Sequence, residues 1–316
     1  FSTYIISTSV DIMLPFAAGN VAVVTGASSG IGKAAALAFA RLGMSVVLAD
    51  IDRTELATAV QEVQSAASSA DNIIGVYTDV SLEASNVELK DAAYAKFGKV
   101  NVFMANAGVQ LPNSGVTGPA GNWESTIGVN MWGVVYGCQS FYAAMKAQGE
   151  PGALIITGSK QGITFPPGNL AYNMSKAAVR AFAEGLQHDI RQDPDTKLQS
   201  YLLVPGWVNT SIARKPMRDA AAAKGEDFDP STVFFHENKP AAGAWMPEQV
   251  VEYMFDQIRK GKFYIICPDN DVDCATDKAR MKWSTADIIQ DRPPLSRWHP
   301  EYAEEFAEFM KNETKK

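Results

Sequence analysis

The sequence predicts an α/β protein: a doubly wound parallel sheet of about seven strands with helices on both faces. Three observations lead there. From Val21 onward, short β-branched runs alternate with longer stretches of helical periodicity. The short runs are apolar almost throughout, as strands are when helices cover both faces of a parallel sheet. The first run ends in a glycine-rich turn that opens directly onto a helical pattern.

The expected strands are VAVVTG (21–26), SVVLAD (45–50), IIGVYTD (73–79), VNVFMANAG (100–108), GALIITGS (152–159), LQSYLLVPG (198–206) and FYIICPD (263–269). Between them lie helical patterns such as GKAAALAFARLG (32–43) and ELATAVQEVQSAAS (55–68). In the segment that opens AYNMSKAAV (171–179), Val179, Phe182, Leu186 and Ile190 form an apolar stripe, and Tyr172 and Lys176 project along its edge. A lysine there is costly unless its charge is used or paired. PEQVVEYMFDQI (247–258) reads as a helix with Pro247 in its first turn.

These elements make one catalytic domain over 21–270. Residues 1–20 have apolar patches, Asp11 and no basic start; they read as an arm on that domain, too short to span a bilayer, and the missing initiator Met points to a trimmed chain. Residues 211–246 mix charge, Ala, Gly and Pro with Phe234, Phe235 and Trp245, which suggests a substrate lid. The tail, 271–316, has proline punctuation and then a short amphipathic pattern (Tyr302, Phe306, Phe309), so it is expected to dock on the domain.

Composition narrows the function. Of 316 residues 47% are hydrophobic, enough for a sizeable core, and the net charge of −7 argues against nucleic acid or an anionic membrane as partner. Cys138, Cys267 and Cys274 have no metal-ligand spacing, and an odd number suits a reducing, cytoplasmic compartment. His188, His236 and His299 lie far apart, so neither a metal site nor a Ser-His-Asp triad is expected.

The turn Thr25-Gly26-Ala27-Ser28-Ser29-Gly30-Ile31-Gly32 has the spacing G-x-x-x-G-x-G. Its glycines let the backbone approach a pyrophosphate, whose charge the helix N-terminus stabilises. Asp50 closes the second strand, where a carboxylate accepts hydrogen bonds from an adenosine ribose and repels a 2′-phosphate. This favours NAD over NADP. Asp50 is also placed to cap the following helix, a role open equally to Asp52, and Arg53 could soften the rejection of NADP.

Further pieces follow in order: Asp79-Val80, Asn106-Ala107-Gly108, Asn130 within VNMWGVVYG, Ser159, Tyr172-x-x-x-Lys176, and Pro205-Gly206-Trp207-Val208-Asn209-Thr210. With the glycine loop, they make residues 20–270 resemble the short-chain dehydrogenase/reductases in their shorter, single-domain, Rossmann-like branch. The resemblance implies a nicotinamide-dependent oxidoreductase. Tyr172 would be the acid/base, Lys176 the cation that lowers its pKa and holds the nicotinamide ribose, Ser159 the substrate-oxygen donor, and Asn130 the support of a water chain to Lys176. Gly26, Ser28, Ser29, Gly30, Ile31 and Gly32 would cradle the phosphates, with Asp50 and Ile51 at the adenosine. Asp79 and Val80 would contact adenine, Asn106, Ala107, Gly108 and Val129 would line the cofactor, and Pro205, Gly206, Val208 and Thr210 would hold carboxamide and phosphates. Two departures stand out: Ala105 occupies a position where the family often has Asn, and Lys160, directly after the serine, adds charge at the mouth of the site or points to solvent.

The chemistry is sound without the resemblance. Oxidising an alcohol needs a base for the hydroxyl proton, and a tyrosine of ordinary pKa, about 10, is too protonated at neutral pH. A lysine one helical turn away, about 6 Å along the axis, favours the phenolate, and a serine hydroxyl can stabilise the developing alkoxide. Candidate substrate walls are Val109, Gln110 and Leu111, then Gln161, Gly162, Ile163 and Phe165, Trp207, and Phe234, Phe235 and Trp245 from the lid. Phe234 and Phe235 fill core beneath the lid equally well. The wall is mostly apolar and has no Arg cluster, so a small-molecule aromatic or alicyclic secondary alcohol, or its ketone, is expected. The rivals are an NADPH-dependent biosynthetic ketoreductase and a dinucleotide-sensing module without turnover. Relatives commonly pair through the helices carrying Asn130 and Tyr172; the tail could cover a second interface, which points to a homodimer over a tetramer.

Overall fold

The structure, a computed structural model, describes residues 14–212, 221–223, 225–226 and 242–315. Seven strands, β1 (Val21–Thr25), β2 (Ser45–Asp50), β3 (Ile73–Tyr77), β4 (Val102–Ala105), β5 (Gly152–Thr157), β6 (Leu198–Val204) and β7 (Tyr264–Ile266), form one parallel sheet in the order β3-β2-β1-β4-β5-β6-β7. Val24 pairs with Leu48 on one side and Met104 on the other. The winding direction reverses between β1 and β4, so the loops after them diverge and open a crevice at the C-terminal edge. Most strands stop short of their expected ends. Gly26 and the terminal NAG, GS and PG segments are loops, and they carry the candidate site.

Successive strand residues feed two cores. Ala22, Val24, Val46, Leu48, Met104 and Ile155 enter one, beneath α1 (Gly30–Arg41), α2 (Arg53–Ala66) and α7 (Pro247–Arg259). Val21, Val23, Val47, Phe103, Leu154 and Ile156 enter the other, beneath α3 (Glu83–Phe97), α5 (Gly133–Ala147) and α6 (Leu170–Gln192). This period of two explains why the strands read as unbroken apolar runs: both faces are covered. Aromatic pairs fill the widest gaps. Phe103 stacks on Phe141 at 4.3 Å between ring centroids, and Phe16, just before β1, meets Phe39 and Phe255 edge-on or stacked.

Beyond β7, α8 (Cys274–Ile289) is capped by Asp273, whose carboxylate accepts from Thr276 N, and it packs against the helical turn Gln161–Thr164. Then α9 (Ala303–Thr314) lies on α8, with Phe306 and Phe309 against the buried Trp283. Trp283 Nε1 donates to Ser296 Oγ at 2.8 Å, and the Arg292 guanidinium covers its ring at 3.7 Å while pairing with Asp287. Among the described residues no helix is long and apolar enough to cross a membrane.

Candidate active site

The glycine loop is shaped by two close approaches. Gly30 has φ +55°, and a Cβ there would lie 3.1 Å from Thr210 Cγ2, so the loop after β6 rests on it. At Gly32 a Cβ would come within 2.1 Å of the Gly26 carbonyl oxygen, so the first turn of α1 lies directly on the end of β1. Ser29, the N-cap of α1, makes no capping bond to the first-turn amides; its hydroxyl shares a 2.7 Å hydrogen bond with Ser211. Backbone donors at an uncapped helix N-terminus fit a pyrophosphate, so the chain's residues suit a dinucleotide. Ser211 was not legible beforehand, since its partner stands 182 residues away.

Ser28, expected at the phosphates, does something else. Its N–H and hydroxyl donate to Asp50 Oδ2 at 3.1 and 2.7 Å, and Asp50 Oδ1 accepts from Asp52 N at 3.0 Å. Asp52, not Asp50, caps α2, accepting from Thr54 N and Glu55 N. Asp50 is thus a pre-oriented carboxylate whose two oxygens keep lone-pair capacity. Ile51 beside it is exposed, and Arg53 lies over the Tyr77 ring at 3.8 Å from its centroid.

Asn106 staples three strand ends together. Its Nδ2 donates to Thr25 O, its Oδ1 accepts from Thr157 Oγ1, and its own N–H and that of Ala107 donate to Thr25 Oγ1. The Asn106 amide therefore holds the crevice wall in place, where the resemblance had it line the cofactor directly. Asp79 Oδ1 is engaged by Ser81 N and Oγ in the turn into α3, and Val80 is buried with its side chain against Gly133.

Ser159, Tyr172 and Lys176 come together beyond the end of β5. Ser159 Oγ accepts from Gln161 N at 3.1 Å and stands near enough to the Tyr172 phenol to favour its ionised form. Tyr172 is 7% exposed and Lys176 3%; the ammonium lies 5.8 Å from the tyrosine ring centroid and donates to Thr157 O at 2.9 Å. Burial pushes the Tyr172 phenol up to about 12, with the Ser159 hydroxyl working the other way, and burial brings Lys176 down to about 8. The expected lowering of the phenol by Lys176 is thus not what the chain's own groups produce. Desolvation outweighs it, and the ammonium is aimed at a carbonyl.

Asn130 sits fully buried on a π-helical turn, Gly128–Trp132, between α4 (Ala120–Ile127) and α5, with half-buried Val129 next to it. Its Nδ2 donates to Val109 O and Ser175 Oγ, and its Oδ1 accepts from Val109 N at 2.8 Å. This side chain makes a direct tie from the loop after β4 to α6. A Cβ at Gly108 would lie 3.4 Å from Asn130 Oδ1 and 3.7 Å from Lys176 Nζ, which puts that loop beside both. Ser175 is a residue the motif did not single out; its hydroxyl donates to Tyr172 O at 2.7 Å and locks the turn carrying the tyrosine.

The expected substrate wall is partly assembled. Trp207 (45% exposed) and Phe165, in a left-handed conformation with φ +48°, present rings at the surface, and Val109, Gln110, Leu111 and Gln161 are half-buried. Ile163 instead packs on the core under α6, because Gly162 seats the turn tightly on the Lys176 backbone. Trp245 N donates to Trp207 O, and Val208 bridges to Trp245. Phe234 and Phe235, with most of the expected lid and arm, lie outside the described residues. Lys160 neither opens onto the mouth nor points to solvent: its Nζ is 2.6 Å from Asp277 Oδ2 and 3.2 Å from Asp269 Oδ2.

With this geometry in hand, known proteins give the family. Residues 20–221 match the family model of short chain dehydrogenases. A short-chain dehydrogenase/reductase from Burkholderia phymatum, solved in complex with NAD, superposes with a TM-score of 0.77 at 33% identity over 89% of this chain and 98% of that one. The 1-deoxy-11-beta-hydroxypentalenate dehydrogenase of Streptomyces avermitilis is 34% identical over 62% of this chain and 71% of its own length. The 3beta-hydroxysteroid dehydrogenase 2 of Eggerthella lenta is 31% identical over 63% of this chain and 74% of its own. A Rossmann-like seven-stranded sheet, a glycine loop open to phosphate and this match over most of the chain agree: the protein belongs to the short-chain dehydrogenase/reductase family, and is an NAD(P)-dependent oxidoreductase.

Proposed function

We propose that the protein is an NAD-dependent dehydrogenase interconverting a secondary alcohol and a ketone on an apolar, aromatic or alicyclic small molecule. The observation that carries this reading is the buried Tyr172 phenol beside the Ser159 hydroxyl, with Lys176 one turn further along the same buried helix face. The substrate oxygen sits between Ser159 Oγ and the Tyr172 hydroxyl; Ser159 donates to it and Tyr172 takes or returns its proton. Bound nicotinamide supplies the hydride acceptor or donor. Lys176, protonated at neutral pH with its pKa near 8, provides the positive charge that favours the phenolate when alcohol is oxidised, and offers donors to the ribose hydroxyls. Asn130 and Ser175 hold the loop after β4 and the Tyr172 turn in register. The glycine loop and Thr210 take the phosphates.

Asp50, fixed by Ser28 and Asp52, supports NAD over NADP, because a 2′-phosphate would sit against a carboxylate. The exposed rings of Trp207 and Phe165 support an apolar substrate, as do the hydroxypentalenate and hydroxysteroid named for two relatives. Exposed Trp132, Leu170 and Met174 at the starts of α5 and α6 support a homodimer through those helices, and three free cysteines support a reducing, cytoplasmic compartment. The test is a panel of cyclic and aromatic secondary alcohols with NAD and with NADP, read by reduced-nicotinamide absorbance. Oxidation with NAD is expected, and a Tyr172→Phe variant is expected to lose about 10²–10⁴ in rate while binding NADH normally. Full turnover by Tyr172→Phe would overturn the mechanism, and a strong NADP preference the cofactor choice.

A further inference from the structure

Lys160 follows Ser159 directly, yet its side chain turns away from the site into an ion cluster. Its ammonium lies between Asp269, in the loop after β7, and Asp277, in the first turns of α8, and all three side chains are largely buried. Asp269 Oδ2 also accepts from Trp207 N at 3.4 Å. Lys160 N–H donates to Pro205 O at 3.2 Å, and a Cβ on Gly206 would come within 2.6 Å of Lys160 Nζ and 2.7 Å of Asp269 Oδ2. The loops after β5, β6 and β7 and the tail helix therefore meet around one ammonium.

An anchor for the tail alone could use any surface of the domain. This one is placed at the ends of three adjacent strands, next to the residues that face the candidate site: Ser159 by one peptide bond, Trp207 by one hydrogen bond. The body of α8 packs on the same Gln161–Thr164 turn whose Gln161 N–H holds Ser159 Oγ. Asp277 is 3% exposed, where a carboxylate is tolerated only with a close counter-charge. Burial raises its pKa, Lys160 opposes that rise, and Arg280 one turn on also favours the charged form.

We propose that Asp277, acting through Lys160 and Asp269, is a positioning residue for the alcohol-binding side of the site: the tail helix sets the spacing between Ser159 and Trp207. This rests on the reading of Ser159 and Trp207 as active-site residues. The spacing bears on how the substrate oxygen meets Tyr172, whereas the adenosine end of the dinucleotide is assigned to the glycine loop and Asp50, on the far side of the crevice.

The test uses the full chain with Asp277→Asn and with the conservative Asp277→Glu. Amide hydrogen exchange in segments 158–163 and 205–208 is expected to rise about tenfold in Asp277→Asn, with segment 26–32 unchanged and partial recovery in Asp277→Glu. In parallel, kcat/KM for an oxidised alcohol is expected to fall about tenfold while affinity for ADP-ribose, the part of the dinucleotide without the nicotinamide, stays within about twofold. Faster exchange confined to 274–289, with 158–163 and 205–208 as in the wild type, would reduce Asp277 to a tail anchor and overturn the proposal. If Asp277→Asn does not fold, Asp277→Glu alone carries the test: exchange at both loops faster than in the wild type supports the proposal, and exchange at both loops as in the wild type overturns it. The exchange measurement needs no substrate, so its outcome is separate from the alcohol-dehydrogenase reading, which fails instead if the wild type oxidises no secondary alcohol.

Discussion

Lys176 is expected to lower the stability of the protein it serves, by an amount that depends on pH. Its ammonium is buried and its pKa lies near 8 against an ordinary 10.5. Below about pH 8 the folded and unfolded chains both carry the proton, so the full desolvation cost is present: 2.3RT times the difference, about 3 kcal/mol. Between about 8 and 10.5 the unfolded chain still holds a proton that the folded chain has released, so this group's contribution rises with pH until the cost is gone. Replacing Lys176 by Met removes that dependence. It also removes the bond to Thr157 O; the weakening of that bond as the ammonium discharges is already contained in the pKa difference, and the remainder is a pH-independent offset. The phenol of Tyr172, raised to about 12, makes stability fall above pH 10 in both proteins, so it cancels in the comparison. Urea unfolding of nucleotide-free wild type and Lys176→Met at pH 7 and pH 10.5 is therefore expected to give a difference that moves by about 3 kcal/mol in the wild type's favour as pH rises, or roughly 6 °C in Tm. A difference that stays constant across that range would refute the claim that Lys176 is held in a desolvated, discharge-prone site.

Two further outcomes are expected. Gly32→Ala places a Cβ 2.1 Å from the Gly26 carbonyl oxygen, which forces the loop apart by about 1 Å; NADH affinity, read by fluorescence, should fall on the order of 100-fold while the fold survives. Phe103→Ala removes a fully buried ring stacked on Phe141 and should cost about 3–5 kcal/mol in urea unfolding, with NADH affinity in the remaining folded protein unchanged.

The strands were legible because both faces of the sheet are covered, which leaves a chemical trace in each run, as in Val46, Val47 and Leu48. Their ends were not, because the chain stays apolar or small through Val204-Pro205-Gly206 and Ala105-Asn106-Ala107 after pairing has stopped. Ordered motifs brought Ser159, Tyr172 and Lys176 to notice, and the fold sets them close together, but the direction of side-chain hydrogen bonds was not legible. The amides of Asn106 and Asn130 close on Thr157 and Val109, 51 and 21 residues away, which no local pattern announces. Lys160 shows the same limit: nothing near it in sequence announces Asp269 or Asp277, and an exposed-looking lysine turns inward because a distant helix brings it a partner. Ile163 was misread for a local reason, since Gly162 lets the whole turn sink onto α6.

The wide turn at Gly128–Trp132 has a consequence for how this chain tolerates change in length. A π-helical turn holds one residue more than the α-helix on either side of it, and it is this surplus that aims Asn130 at Val109. Deleting one residue between Ile127 and Gly133 would remove that surplus and let α4 and α5 run on as one regular helix with their outer faces still in phase, so only the residues of the turn itself would be re-aimed. Asn130 would then lose its aim at Val109 while the two helices kept their partners, even though the asparagine itself was untouched. At this point the chain stores information in a count of residues as well as in their identity. Among related sequences, a one-residue gap here would separate proteins more deeply than many substitutions elsewhere in the same helix.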